Sequence, residues 1–145
     1  MLRNLLIFAT SLCLLASCSS YQSDFRSAVR NHSESTSPAG PWKGEWTSEA
    51  NGHHGPLWCL LSPDPNHPDT WNFRYRAGWG VLQFGDYTHQ IKGTLAKNGN
   101  LPVEGKMTLP NNFGTYAVKG QLTKDRFDLR FQGNGDQGTM TLARP

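Results

Sequence analysis

Residues 70–77 read TWNFRYRA. Trp71, Phe73, Tyr75 and Ala77 fall on one side of an extended chain, and Asn72, Arg74 and Arg76 fall on the other. A strand sends successive side chains to opposite faces, so apolar residues at a spacing of two mark a half-buried strand. The same alternation returns along the chain. Phe127, Leu129 and Phe131 oppose Arg126, Asp128 and Arg130. Tyr116, Val118, Gly120 and Leu122 oppose Thr115, Ala117, Lys119 and Gln121. Val103, Gly105, Met107 and Leu109 oppose Glu104, Lys106 and Thr108, while Gly138, Met140 and Leu142 oppose Thr139 and Thr141. Weaker strands are expected over residues 42–48, 57–62, 80–85 and 88–95.

Turn residues separate these runs. Asn51-Gly52, Asn98-Gly99-Asn100 and Asn134-Gly135-Asp136 tolerate the positive φ that tight hairpins require. Residues 63–68, PDPNHP, read as a longer loop, and Thr123-Lys124-Asp125 as a short hairpin. Helix has little room, because the longest stretch of the domain without Gly or Pro is 121–132, and that stretch alternates. Short, evenly spaced strands with turns between them predict an all-β fold. We expect an antiparallel up-and-down meander of about eight to ten strands, closed into a barrel so that no edge is left exposed.

Composition sets the limits of this domain. All fifteen glycines and all five tryptophans lie at or beyond Gly40. The barrel domain is therefore placed at residues 41–145. Residues 18–40 are polar and serine-rich, and they are read as a flexible linker in which only a short helix near 24–29 is conceivable. A free chain of that length spans roughly 25 Å. The formal charge of +3 is small and scattered, with no basic run to hold a phosphate backbone, so nucleic acid is not an expected partner.

The first residues carry an address. Arg3 is followed by an apolar run over residues 5–16, and then by the small residues Ala16 and Ser17 before Cys18. A positive start, an apolar middle and a small-residue cut site make a secretory signal, read here as residues 1–17. A membrane span needs about 20 apolar residues, and this run is shorter. Leu15-Ala16-Ser17-Cys18 resembles a bacterial lipobox. That resemblance implies cleavage before Cys18, attachment of diacylglycerol to its thiol and acylation of the new amine. The chain is thereby expected to be an envelope lipoprotein held to the membrane at Cys18, with Ser19 suiting the outer membrane if the cell is Gram-negative. Several acyl chains anchor a protein stably where one does so only marginally. Cys13 leaves with the signal and Cys18 is lipidated, so Cys59 alone remains and no internal disulfide can form.

Gly40-Pro41-Trp42 at the start of the first strand resembles the Gly-x-Trp of calycin barrels, the group of lipocalins, fatty-acid-binding proteins and avidins. The resemblance implies that a basic residue on the last strand covers this tryptophan, and Arg144 stands in the matching place. Trp42 and Arg144 are accordingly assigned a structural role. The chain lacks the C-terminal helix of lipocalins and the helical pair of fatty-acid-binding proteins, so a plain avidin-like meander is nearest in outline. The spacing Trp42-x-Gly44-x-Trp46 also resembles small uncharacterised bacterial lipoproteins.

Chemistry has little foothold in the sequence. His53 and His54 share a turn with Glu49, but neighbouring histidines on a turn chelate poorly, and no metal or cofactor is expected. Gly-x-Ser-x-Gly is missing, and Cys59 lies in an apolar run where a thiol behaves as a small hydrophobe. No catalytic residue is assigned and no enzyme is expected. The domain does hold thirteen aromatic rings. Trp46, Trp71, Phe73, Tyr75 and Tyr116 are expected to line a pocket for a small, largely apolar ligand. Trp58 alternates outward, and Trp79 sits in a turn where an exposed ring suits a binding surface. The alternative is a filled barrel that meets an envelope protein or cell-wall partner at its rim, such as an inhibitor would.

Overall fold

The computed structural model of the chain describes residues 20–109, 112 and 114–145, leaving aside the side chain of Phe84. The expected signal stretch 1–17 and lipidation site Cys18 lie outside the described residues. The fold is all-β. Among the described residues one helix, α1 (Ser20–Asn31), precedes eight strands: β1 (Gly40–Ser48), β2 (His54–Pro63), β3 (Thr70–Trp79), β4 (Leu82–Lys92), β5 (Leu101–Leu109), β6 (Gly114–Leu122), β7 (Phe127–Gly133) and β8 (Asp136–Ala143). Each strand pairs antiparallel with the next, and β1 pairs with β8, so the sheet closes into a barrel.

The alternation of the sequence decides what faces inward. Trp71, Phe73, Tyr75 and Ala77 of β3 are buried, as are Phe127, Leu129 and Phe131 of β7. Asn134-Gly135 takes positive φ at both residues (49° and 73°), the conformation of the tightest hairpin turn between β7 and β8. Glycines let the wall curve sharply. A Cβ at Gly44 would stand 2.1 Å from the Thr141 carbonyl oxygen, and one at Gly138 would stand 1.9 Å from that of Thr47. Both lie at the closing β1–β8 seam, where the barrel is drawn tight.

Residues 80–95 differ from expectation. In place of two strands there is one, β4 over Leu82–Lys92, with a register shift opposite Tyr75 and Ala77. The break expected between strands ending at 85 and starting at 88 is a bulge inside one strand, where Gly85 takes a positive φ (88°). The bulge aims Asp86 at the outer face of β3. Arg74 donates to it twice, Nε to Oδ1 at 2.6 Å and Nη2 to Oδ2 at 2.7 Å.

Within the segment read as a linker, the short helix conceivable near 24–29 is present and longer. Residues 20–31 are helical and docked on the outer wall. Tyr21, Phe25 and Ala28 recur at the i, i+4, i+7 spacing of one helix face. Tyr21 is buried and stacks on Phe25 with ring centres 6.1 Å apart. Its hydroxyl donates to the Arg74 carbonyl at 3.2 Å, and Arg74 Nη1 donates to Asp24 Oδ2 at 2.7 Å. A single arginine therefore ties α1 to β3 and β4. Trp58 does face outward, but it is half-buried beside Tyr21 and Phe25. Among the described residues no helix is long and apolar enough to cross a membrane.

Candidate functional site

The two ends of the barrel are built differently. At one end lie the 64–69 loop, the 93–100 loop, the 123–126 turn and the chain leading into β1. Here the interior is full. Trp42, Phe73 and Phe127 are wholly buried, with Trp42 and Phe73 each packed against Phe127 at ring separations of 5.7 and 6.0 Å. Burying one such phenylalanine ring stabilises the fold by about 2–3 kcal/mol. Pro38 accepts the Trp42 indole N–H at 2.9 Å. The Arg144 guanidinium stands 3.8 Å from the centre of the Trp42 ring and closes this end.

At the other end the interior is hollow. A cup of about 220 Å³ is walled by Trp46, Leu57, Ala77, Met107, Leu109, Tyr116, Phe131 and Met140, with Tyr87 at its base and His53, Trp79 and Asp136 at its mouth. The wall is apolar because inward positions of all eight strands supply it. Gly55 matters locally. A Cβ there would lie 1.9 Å from the Gly78 carbonyl oxygen and 3.0 Å from the Trp46 indole nitrogen. Without one, the Trp46 N–H crosses β2 and donates to Gly78 of β3 at 3.0 Å, which lays the indole along the wall. Tyr116 meets Phe131 edge-on at 5.8 Å.

The polar groups are few and placed at the two limits of the cup. At the mouth, Ser48 donates to Asp136 at 2.5 Å, and the His53 ring lies 5.1 Å from that of Trp79. At the base, Tyr87 contacts Tyr75 and His89 at ring separations of 5.8 and 5.1 Å. Burial pushes the Tyr87 hydroxyl up to about 12, so it stays a neutral donor. Among the described residues, Tyr75 Oη and His89 Nε2 are buried without a hydrogen-bond partner. Burial lowers the pKa of His89, which favours the neutral ring. Cys59 is fully enclosed, and burial pushes its thiol well above the usual range, so it holds no reactive thiolate.

Of the five rings singled out from sequence, Trp46 and Tyr116 line the cup. Trp71, Phe73 and Tyr75 do not. Trp71 donates its indole N–H to the Gly93 carbonyl at 3.1 Å, toward the filled end. Phe73 stacks on Tyr75 at 6.0 Å within the core. Alternation shows which face a residue takes but not how far along the barrel it sits. Leu57, Met107, Phe131 and Met140 were missed as lining residues. Their signal was register: each lies near the strand end that meets the 49–53, 80–81 or 134–135 turn or the β5–β6 connection.

The wall has one loose seam. Among the described residues, β4 and β5 pair only at Lys92 and Glu104. Above that pair Tyr87 of β4 and Met107 and Leu109 of β5 border the cup. The cup thus has an end mouth and a weak side. Comparisons with protein-family models, with curated proteins and with solved structures found no match to this chain.

Proposed function

We propose that the protein is a lipid-anchored envelope barrel that binds or carries a small, largely apolar ligand in the open-end cup. One observation carries this reading. The interior of a small barrel that is otherwise filled with rings is left hollow at one end, and that hollow is walled by aliphatic, thioether and aromatic side chains. Ligand sites are typically apolar with a few placed polar groups. At about 220 Å³ the cup is smaller than the roughly 300 Å³ of common drug-sized sites, so it suits one fused ring pair or a short chain segment. The Tyr87 hydroxyl at the base favours a ligand with one hydrogen-bonding end. The lipobox-like Leu15-Ala16-Ser17-Cys18 supports attachment to the membrane at Cys18. An interaction protein with a filled barrel is disfavoured by the hollow itself.

The test is titration with N-phenylnaphthylamine, a dye that brightens in apolar surroundings. Saturable brightening with one dye per chain is expected, together with a change in tryptophan emission from Trp46. Met140→Trp fills the cup from β8 and is expected to weaken binding at least tenfold while the fold is kept. Equal binding by the filled variant, or none by the natural chain, would overturn the reading.

A further inference from the structure

The open end carries a second feature that ligand binding alone does not explain. Trp79, Val81 and Leu82 form the β3–β4 hairpin tip, and they are 50%, 99% and 62% exposed. A charge or amide is the ordinary choice for a hairpin tip in water. Here three apolar side chains stand together, beside the cup that Trp79 borders. Trp is favoured where one side of a ring meets lipid and the other meets water.

The position of α1 indicates what covers this tip. The helix is docked so that Ser20 Oγ lies 3.4 Å from Asp86 Oδ2, while His32, just past the helix, approaches Gly40 at the filled end. The chain therefore enters the described structure on the open half of the barrel. Cys18 is two residues earlier, which at full extension reaches about 7 Å. Asp86 is five residues from Val81, or roughly 13 Å along a strand inclined as barrel strands are. A chain anchored at Cys18 therefore leaves the open rim closer to the lipid surface than the filled end, and the apolar tip is placed to enter it.

We infer that the open end of the barrel faces the phospholipid bilayer, with Trp79, Val81 and Leu82 seated in the interface and the cup opening toward the lipid. This rests on the lipid-anchored, ligand-binding reading above. It adds a direction: the ligand passes between bilayer and cup without crossing water, and the filled Arg144 end points away from the membrane. A phospholipid surface is the partner, because the tip is a small apolar projection on a domain already tethered beside it.

The experiment uses the lipidated protein in phosphatidylethanolamine–phosphatidylglycerol vesicles. A nitroxide is placed at Val81→Cys, or at Lys124→Cys on the filled end, with the enclosed Cys59 left unlabelled. The label at 81 is expected to collide with oxygen more than with a water-soluble nickel complex, and the label at 124 to show the reverse. In the unlabelled protein, Val81→Asp with Leu82→Asp is expected to slow transfer of N-phenylnaphthylamine from vesicle to barrel at least tenfold, with dye affinity in solution unchanged. Equal water exposure at 81 and 124 on a chain whose mass shows the acyl groups would overturn the orientation and leave the anchor standing. An unacylated Cys18 would overturn both. Burial of position 81 against a copurifying protein in place of lipid would also overturn it.

Discussion

Arg144 donates to three carbonyls, Lys124 at 2.8 Å, Pro41 at 3.1 Å and Ser37 at 3.3 Å, while its planar head covers the Trp42 ring. No other side chain type serves both purposes, because lysine has no flat face and glutamine no charge. The carbonyls belong to the chain entering β1, to the start of β1 itself and to the β6–β7 turn, so the residue joins the beginning of the barrel to a turn late in the chain. Arg144→Met is expected to cost about 1–3 kcal/mol, chiefly by leaving part-buried carbonyls without donors. Combined with Trp42→Leu, which leaves no aromatic face, the loss is expected to fall short of the sum by about 0.5–2 kcal/mol, the worth of the cation over the ring. Urea unfolding of the four proteins of the cycle measures this. Strict additivity would mean that the stacking contributes nothing. The pairing was placed from sequence by resemblance, on a Gly-Pro-Trp at one end of the domain and an arginine at the other. No pattern of charge or period connects residues a hundred positions apart.

Helix α1 is the element that sequence reading allowed only as a short helix near 24–29 within a linker. Its apolar face is only Tyr21, Phe25 and Ala28, too short a stripe to stand out among serines and charges. What holds it is tertiary: the outward Trp58 beneath it and Arg74 with Asp86 and Asp24 beside it. The Asp86 bulge that completes this clamp was hidden for a related reason, since Gly-Asp marks a turn and a bulge alike. The Arg74 guanidinium, by direct hydrogen bonds above all, holds the Asp86 carboxyl below the usual carboxylate range. A carboxylate whose pKa is depressed by folding stabilises the docked state fully above its unfolded value, and that help is lost as pH falls through the folded value. Helix α1 is therefore expected to stay docked at neutral pH and to loosen below about pH 4. The indole signal of Trp58 in a two-dimensional NMR spectrum reports it. Arg74→Met is expected to shift that signal already at neutral pH, and Asp86→Asn to remove the acid-driven step. A Trp58 signal indifferent to both changes would show that Tyr21 packing alone holds the helix.

At the scale of the molecule, one chain makes a solid half and a hollow half from the same alternating pattern. The fold was legible because a period of two needs no knowledge of depth. The site was only partly legible, because Trp46 and Phe73 look alike in sequence and differ by their distance from the filled end. Depth is set by register, and register follows from pairing that only the closed barrel displays. The hollow half also has the weakest stretch of wall, since β4 and β5 pair only at Lys92 and Glu104 while β5 and β6 pair along their whole length. Backbone amides without a neighbouring strand open locally at low cost. Amides of β4 from Leu82 to His89 and of β5 beyond Gly105 that point into this seam are expected to exchange with deuterium soonest among the strands, well before those of β7, which is paired on both sides. A ligand seated in the cup touches Tyr87, Met107 and Leu109 across the gap, so saturating N-phenylnaphthylamine is expected to slow exchange there and leave β7 unchanged. Exchange of β4 as slow as that of β7 in the free protein would mean the seam is shut in solution. The end mouth would then be the only way into the cup.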